Sequence, residues 1–373
     1  MNNKWNDKIF NATHSDFEDL SLEIFHFQYR HNPIYKAFVD MLKVAPGKVT
    51  RLFQIPFLPI QFFKTHAVKT TEFDPQFIFE SSGTGQAMNS HHFVKDIEFY
   101  RKSFSQGFEL FYGAANGWCV IALLPSYLER KNSSLVFMVD ELIRQSRHEQ
   151  SGFYLYEHEK IYETLKELEA NNQKTIFIGV SFALLDFAET YALPLKNTTV
   201  METGGMKGRR EEIVRAELHD ILKNKFGVDV VHAEYGMTEL LSQAYSRGEG
   251  VFRTPPWMKV LIRDEEDPLT VESGVQSSES GVRSSESGVR SSESGVQTSE
   301  SGVQSSESQM KSPLTTHHTS GKSGAINIID LANVYSCSFI ATEDAGKLHE
   351  DGSFEVLGRM DNSDIRGCSL MMM

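Results

Sequence analysis

The alternation of short apolar runs with amphipathic segments between residues 118 and 232 most constrains the fold of this chain. The runs have the length of strands, and the segments between them repeat apolar residues at helical spacing. Strands that are apolar on both faces are typical of parallel sheets that helices cover on both sides. The sequence therefore predicts an α/β fold with a mainly parallel sheet covered by helices. Its predicted strands are 118–124, 175–179, 198–202 and 228–232, and its predicted helices are 133–145, 157–170, 182–190 and 210–226.

Three loops rich in glycine or hydroxyl groups, 81–85, 203–208 and 234–239, are candidates for a binding site. Ligands of open parallel sheets bind beyond the carboxyl ends of the strands, where these loops are expected. In the first loop, hydroxyls and backbone N–H groups suit an anion, and the glycines allow its close approach. The lysine of a Walker phosphate loop is missing, and an ordinary turn is the alternative interpretation. The residues of this loop are Ser81, Ser82, Gly83, Thr84 and Gly85.

The segments that flank this loop are mostly apolar. Helical spacing predicts a packed helical entry over 15–41 and a long amphipathic helix over 93–111. The apolar segment 55–64 contains two prolines, which disfavour a regular helix, so it either covers the core or lines a pocket for an apolar ligand. His91 and His92 are adjacent and are expected to point apart, so we predict that one of them packs or forms a hydrogen bond near the loop.

Composition excludes several classes of function. The formal net charge of −13 over 373 residues, with no basic block, argues against nucleic acid as a partner. The first seven residues lack an apolar stretch, and no apolar run approaches the length of a membrane span, so we expect a soluble, cytoplasmic protein. Cys119, Cys337 and Cys368 are widely separated, which argues against a zinc site or a disulfide framework. Cys119 lies within a predicted strand and is expected to be structural.

Between residues 264 and 323 the composition changes abruptly to serine, glycine and glutamate in seven-residue repeats. Each repeat has one valine and no second apolar residue, so it cannot form the seam of a coiled coil. The composition predicts a disordered tether, which is either a neutral expansion or a functional spacer. Three short strands are predicted after it, at 324–330, 338–342 and 353–357.

Four motifs, at 81–85, 234–239, 341–346 and 358–361, resemble in order and spacing those of the adenylate-forming superfamily. The chain looks most like its acyl-protein synthetase branch, the luciferase-pathway enzymes that activate a fatty acid with ATP. The resemblance implies a large adenylate-forming α/β domain, a small β subdomain that completes the nucleotide site, and a C-terminal domain reduced to a stub. It divides the chain into the α/β domain 1–263, the tether 264–323, the β subdomain 324–360 and the stub 361–373.

By this resemblance, the chain requires ATP and Mg²⁺, and the loop 81–85 holds the β and γ phosphates of ATP. Thr238 would lie near the α-phosphate, and Glu239 would bind Mg²⁺. Asp344 would accept both ribose hydroxyls, and Arg359 would approach the nucleotide.

Tyr235 and Gly236 would lie against the adenine and the acyl pocket, again by resemblance. Gly204 and Gly205 would form the wall of that pocket, and Asp361 would mark the hinge before the usual C-terminal domain. The substrate would be a fatty acid or another apolar carboxylic acid.

In the acyl-protein synthetases, the acyl group passes to a cysteine within a sequence like 366–370, which makes Cys368 the candidate acyl acceptor. Arg366 would favour the thiolate that attacks the adenylate. The alternative is a packed terminal cysteine. A further acceptor, such as a reductase subunit, is the family expectation.

Two other functions remain open at this point. The first is an acyl-CoA ligase of the phenylacetate-CoA ligase type, which hands the acyl group directly to coenzyme A. The second is a catalytically degenerate nucleotide- or acyl-binding protein. It is motivated by Gly85 and Gln86, which stand where the family loop has threonine and glycine, and by the long tether.

Overall fold

The computed structural model describes residues 4–81, 88–125, 132–204, 213–264 and 321–360. Nearly all of the predicted tether and the whole segment 361–373 lie outside these ranges. Within the described ranges, no helix combines the length and the apolar character that a membrane span requires.

The helices and strands alternate through most of the chain. The α-helices are α1 (Lys4–Phe10), α2 (Phe17–His31), α3 (Pro33–Met41), α4 (Phe62–Thr65), α5 (Ile97–Tyr112), α6 (Ser134–Ser146), α7 (His158–Ala170), α8 (Ser181–Thr190) and α9 (Arg215–Phe226). Short 3₁₀ helices span Pro46–Lys48, Leu52–Gln54, Ala115–Gly117 and Leu331–Asn333. The strands are β1 (Leu58–Pro59), β2 (Phe77–Glu80), β3 (His91–Val94), β4 (Cys119–Leu123), β5 (Gly152–Phe153), β6 (Thr175–Val180), β7 (Thr198–Thr203), β8 (His232–Tyr235), β9 (Ala244–Ser246), β10 (Val251–Arg253), β11 (Met258–Arg263), β12 (Lys322–Asp330), β13 (Phe339–Leu348) and β14 (Phe354–Arg359).

One large sheet organises the molecule, with a parallel half and an antiparallel half. Strands β5, β4, β6, β7 and β8 run parallel, in that order. From β8 the sheet continues through β9, β10, β14, β13, β12 and β11, and all of these pairings are antiparallel. The predicted α/β fold with its helix-covered parallel strands is confirmed, and the strands after residue 321 join the same sheet.

Several boundaries differ from the sequence prediction; α9, for example, begins at Arg215 rather than at 210, and β13 extends to Leu348 rather than to 342. The strand predicted at 228–232 lies instead at β8, because Val230 is 41% exposed whereas Ala233 is fully buried. The helix predicted over 93–111 is preceded by β3, and Asp96 caps the start of α5 by accepting a hydrogen bond from the Glu98 amide.

The helical entry predicted over 15–41 is broken into α2 and α3 at Asn32 and Pro33. Proline removes a backbone donor, and the Asn32 side chain caps the new helix by accepting the Tyr35 amide at 3.0 Å.

The apolar segment 55–64 covers the core, as one of its two interpretations predicted. Phe57, Leu58 and Phe63 are buried. β1 pairs in parallel with β13, and the Ile60 amide donates to the Ala341 carbonyl at 2.9 Å. This pairing places α4 next to the loops that follow β8 and to the middle of β13.

Candidate active site

The end of β8 and the middle of β13 meet through a buried hydrogen bond. The Tyr235 hydroxyl donates to Asp344 Oδ2 at 2.7 Å. Asp344 lies opposite Arg359 across β13 and β14, and Arg359 Nε is 3.9 Å from Asp344 Oδ1. Burial raises the pKa of Asp344, while the Tyr235 hydrogen bond and the Arg359 charge act in the opposite direction. Because 84% of the Arg359 side chain is exposed, this cation faces the open side of the site.

Glu239 lies on the loop that directly follows Tyr235 at the end of β8. It is 5% exposed, and burial raises the pKa of its carboxyl. The Ser90 hydroxyl and the charges of Lys64 and Arg359 lower that pKa. The charge of Arg359 thus lowers the pKa of both Glu239 and Asp344.

Ser81 joins this region through Ser90. The Ser81 amide donates to the Ser90 carbonyl at 3.0 Å, and the Ser90 amide donates to Ser81 Oγ at 2.8 Å. These two bonds place the start of the glycine loop beside Glu239. The rest of that loop lies outside the described residues, namely Ser82, Gly83, Thr84 and Gly85.

The loop from Thr238 to Glu239 is fixed by two buried side chains. His92 Nδ1 lies 2.9 Å from the Thr238 carbonyl, and the Asn333 side-chain amide donates to the Glu239 carbonyl at 2.7 Å. Burial lowers the pKa of His92 to about 4, although the Thr238 bond opposes this shift. The imidazole is therefore neutral at neutral pH, and Nδ1 carries the hydrogen because a carbonyl can only accept.

One of the two adjacent histidines was predicted to pack or to form a hydrogen bond near the glycine loop, and His92 forms such a bond. His91 and His92 lie on a strand, so they point to opposite faces, and His92 is the buried one. Sequence reasoning missed Asn333 and Lys64, which no motif includes.

Glu234 lies within β8, and Gly236 directly follows this strand. Thr203 Oγ1 donates to Glu234 Oε2 at 2.5 Å. A Cβ atom on Gly236 would lie 2.5 Å from Glu234 Oε1, so a side chain there would collide with the carboxyl. Burial raises the pKa of Glu234 to about 7, the Thr203 bond lowers it, and the charge of Glu202 raises it further.

The loop after β7 begins with Gly204, whose φ of 64° lies in the left-handed region that glycine tolerates. Glu202 Oε1 accepts a 2.9 Å hydrogen bond from Arg215 Nε, and Arg215 also donates to the Val356 carbonyl at 3.0 Å. Arg215 thus ties α9 to both β7 and β14. Gly205 lies outside the described residues.

The candidate acyl acceptor Cys368, its neighbour Arg366 and the hinge residue Asp361 also lie outside the described residues. Cys119 is fully buried, and burial raises the pKa of its thiol to about 11. A buried neutral thiol suits the structural role expected for Cys119.

Neither a family model nor a curated protein sequence matches this chain. Among solved structures, 2-hydroxyisobutyryl-CoA ligase, in complex with 2-HIB-AMP and CoA, aligns with 95% of this chain and 70% of its own, at 10% identity and a TM-score of 0.56. An ATP-bound RpMatB-BxBclM chimera aligns with 78% of this chain and 49% of its own, at 16% identity and a TM-score of 0.51. ATP-bound MatB from Rhodopseudomonas palustris aligns over 78% and 50%, at 16% identity and a TM-score of 0.48. This chain therefore spans about half the length of the MatB structures. The chain has the fold of adenylate-forming enzymes.

Proposed function

We propose that this chain activates a carboxylic acid as its acyl adenylate. In this step a carboxylate oxygen of the acid attacks the α-phosphorus of ATP, the bond between the α-phosphorus and the bridging oxygen breaks, and pyrophosphate leaves with the electron pair. The observation that carries the proposal is the hydrogen bond of Tyr235 to Asp344 beside the guanidinium of Arg359, whose charge also lowers the pKa of Glu239. Support comes from the fold and from two structures of similar fold, one with bound ATP and one in complex with 2-HIB-AMP.

Asp344 suits the role of ribose acceptor. Its side chain is 14% exposed, and the Tyr235 hydroxyl occupies one lone pair of Oδ2. A carboxylate has about four acceptor positions, so two ribose hydroxyls can bind alongside Tyr235. We infer that Tyr235 orients this carboxylate and that its ring packs against the base. Arg359 would approach the phosphates from the open side, and Gly204 and Gly236 would allow the nucleotide and the acyl group to pass close to the backbone.

The residues of the site also fit Mg²⁺. Among the described residues, no three His, Cys, Asp or Glu side chains form a metal cage. Mg²⁺ is usually held by one or two carboxylates together with substrate phosphates, and Glu239 is one buried carboxylate beside the glycine loop. When bound, Mg²⁺ would supply positive charge against the phosphate oxygens. Glu239 would hold it, while the hydroxyl and amide groups around Ser81 and Thr238 would face the phosphates.

The proposal also names a substrate and an acyl acceptor. We propose a fatty acid or another apolar acid as substrate and Cys368 as the thiol that takes the acyl group and releases AMP, with the cytoplasm as the place of action. A downstream acceptor, such as a reductase, would then remove the acyl group. A second candidate is direct transfer to coenzyme A, which is favoured by the likeness to 2-hydroxyisobutyryl-CoA ligase, because that structure aligns with 95% of this chain and contains CoA.

Exchange of labelled pyrophosphate into ATP, measured with acids of increasing chain length, tests the first step. We expect exchange that depends on the acid and on Mg²⁺, and on Glu239, because each preorganised group around developing charge is typically worth about 10²-fold in rate. Bound nucleotide without exchange at any chain length would instead indicate a degenerate binding protein.

Labelled fatty acid with ATP tests the second step. We expect acid-stable, hydroxylamine-labile label on the protein, and its loss in Cys368→Ser. Label that survives in Cys368→Ser would remove the thioester role of Cys368, and label that appears on added coenzyme A would favour the CoA ligase.

A further inference from the structure

Adenylation concentrates negative charge in this site. An incoming carboxylate, a triphosphate and the two side chains Glu239 and Asp344 all carry or share negative charge. Preorganised cations at such a site contribute strongly to catalysis because little reorganisation is needed as charge develops. Arg359 is a cation at the open edge, with 84% of its side chain exposed. A second cation, Lys64 of α4, belongs to none of the motifs.

We propose that Lys64 contacts the phosphates of ATP and stabilises the charge that develops when the carboxylate attacks the α-phosphorus. This inference rests on the proposed function. The proposed role of Lys64 is electrostatic, so it transfers no proton, and the leaving electron pair remains on pyrophosphate.

The beginning of α4 is anchored to β13 by two hydrogen bonds. The Ile60 amide donates to the Ala341 carbonyl at 2.9 Å, and the Gln61 side-chain amide donates to Glu343 Oε1 at 2.8 Å. Glu343 directly precedes Asp344 in the chain. The start of α4 is therefore anchored one residue from the carboxylate that we assign to the ribose.

Helix α4 also packs against His92, which bonds the loop after β8. Phe63 is buried, and its ring centroid lies 5.9 Å from that of His92 in an edge-to-face arrangement. His92 in turn bonds the Thr238 carbonyl, next to Glu239. Lys64 follows Phe63, so its backbone belongs to a helix that contacts both β13 and His92.

The ammonium group of Lys64 has no partner among the described residues. Lys64 is half-buried, and its side chain makes no ion pair or hydrogen bond within that part of the chain. Lys69, in the same segment, is by contrast 3.7 Å from Glu72 and donates to the Phe73 carbonyl. A lysine is a compact charge on a flexible stem, which suits contact with phosphate oxygens.

The substitution Lys64→Ala tests the catalytic contribution, and Lys69→Ala is the matched control. We expect Lys64→Ala to lower kcat for pyrophosphate exchange by about 10²-fold, Lys64→Arg to restore about a tenth or more of the wild-type rate, and Lys69→Ala to stay within about twofold. Transfer from supplied acyl adenylate should remain within about twofold of wild type in Lys64→Ala, because that step does not need the triphosphate. Exchange within about threefold of wild type in Lys64→Ala would overturn the catalytic contribution, and equal loss in both half-reactions would indicate a structural role.

Chemical labelling tests the contact without requiring turnover. Wild-type protein is acetylated with an amine reagent with and without MgATP, and modification of each lysine is measured by peptide mass spectrometry. We expect MgATP to reduce modification of Lys64 at least fivefold and to leave Lys69 unchanged. If wild type shows no exchange with any acid, the proposed function fails, whereas shielding of Lys64 would still support phosphate contact. Equal modification of Lys64 with and without bound MgATP would overturn the inference.

Discussion

The substitution His92→Asn removes the titrating imidazole but keeps a hydrogen-bond donor for the Thr238 carbonyl. It therefore tests how much this imidazole contributes to the pH dependence of stability. Burial lowers the pKa of His92 from 6.5 to about 4, in spite of the bond to Thr238. Below pH 6.5 the unfolded chain therefore binds a proton that the folded protein does not bind until the pH approaches 4. The contribution of His92 to stability is fully present above pH 6.5 and is lost as the pH falls to 4.

The magnitude follows from the size of this pKa shift. One pKa unit corresponds to about 1.4 kcal/mol, so the full loss at low pH is about 3.4 kcal/mol. Between pH 7.5 and 5 the linkage relation gives a loss of about 2 kcal/mol in the free energy of unfolding. An Asn side chain places its N–H₂ group near the position of Nδ1. His92→Asn therefore keeps a donor for the Thr238 carbonyl and does not titrate.

The assay is urea unfolding of wild type and His92→Asn at pH 7.5 and pH 5. On going from pH 7.5 to pH 5, the free energy of unfolding of wild type should decrease by about 2 kcal/mol relative to that of the variant. The substitution His14→Asn is the control, because His14 is an exposed histidine and its replacement should leave the pH difference as it is in wild type. An equal pH difference in wild type and His92→Asn would refute the reasoning, because it would mean that the buried imidazole binds its proton in the folded state as readily as in water.

Two further predictions concern the turn after β8. The pKa of Glu234 is raised to about 7, so the folded state binds a proton that the unfolded chain releases near pH 4.5, and stability falls as the pH rises from 4.5 through 7. Glu234→Gln should therefore be less destabilised than wild type by about 2.5 kcal/mol on going from pH 5 to pH 8.5 in urea unfolding, and an equal change would contradict the raised pKa. Gly236→Ala should cost about 1–3 kcal/mol, because its Cβ would lie 2.5 Å from Glu234 Oε1. In a Glu234→Ala background most of that cost should disappear, and a cost of the same size there would exclude this collision as its cause.

The sequence predicted β4, β6 and β7 of the parallel half well because each is an apolar run followed by a helix of clear periodicity. The strands β6 and β7, for example, begin at the residues predicted, Thr175 and Thr198. The antiparallel strands β9 and β10 were not predicted, since three residues are too few to show alternation. Their positions are set by pairing with β8 and β14, which depends on contacts across a long stretch of chain.

In the site, too, the sequence motifs could be identified, whereas contacts between residues far apart in the chain could not be predicted. By resemblance, Tyr235 and Asp344 were both assigned to one nucleotide site, and the structure joins their side chains by a hydrogen bond. The contact between His92 and Thr238 joins residues 146 apart in the sequence, and that between Gln61 and Glu343 joins residues 282 apart. A single sequence gives the identity of such residues but not their pairing, so the anchoring of α4 could not be predicted. The nucleotide, metal and acyl roles of the individual residues stay predictions.

The last strand of the parallel half places two different chemical environments on its two faces. Glu234 lies between Thr203 and Tyr245 in the register of β7, β8 and β9, and Tyr245 packs on Phe111 of α5. Tyr235 is one residue further, so it faces the opposite side, towards Asp344.

Burial lowers the pKa of His92 and raises the pKa of Glu234. It keeps His92 unprotonated and Glu234 protonated, so between about pH 4.5 and 6.5 the folded protein gains one proton at Glu234 and lacks one at His92 relative to the unfolded chain. The two contributions to the slope of stability against pH have opposite signs and nearly equal size, because each pKa is displaced by about 2.5 units. Wild type should therefore show little pH dependence from this pair, and the effect of either group becomes visible only when the other is replaced. A flat pH profile of the intact protein is thus consistent with two strongly shifted groups beside the site, which is why single variants rather than wild type alone must be compared.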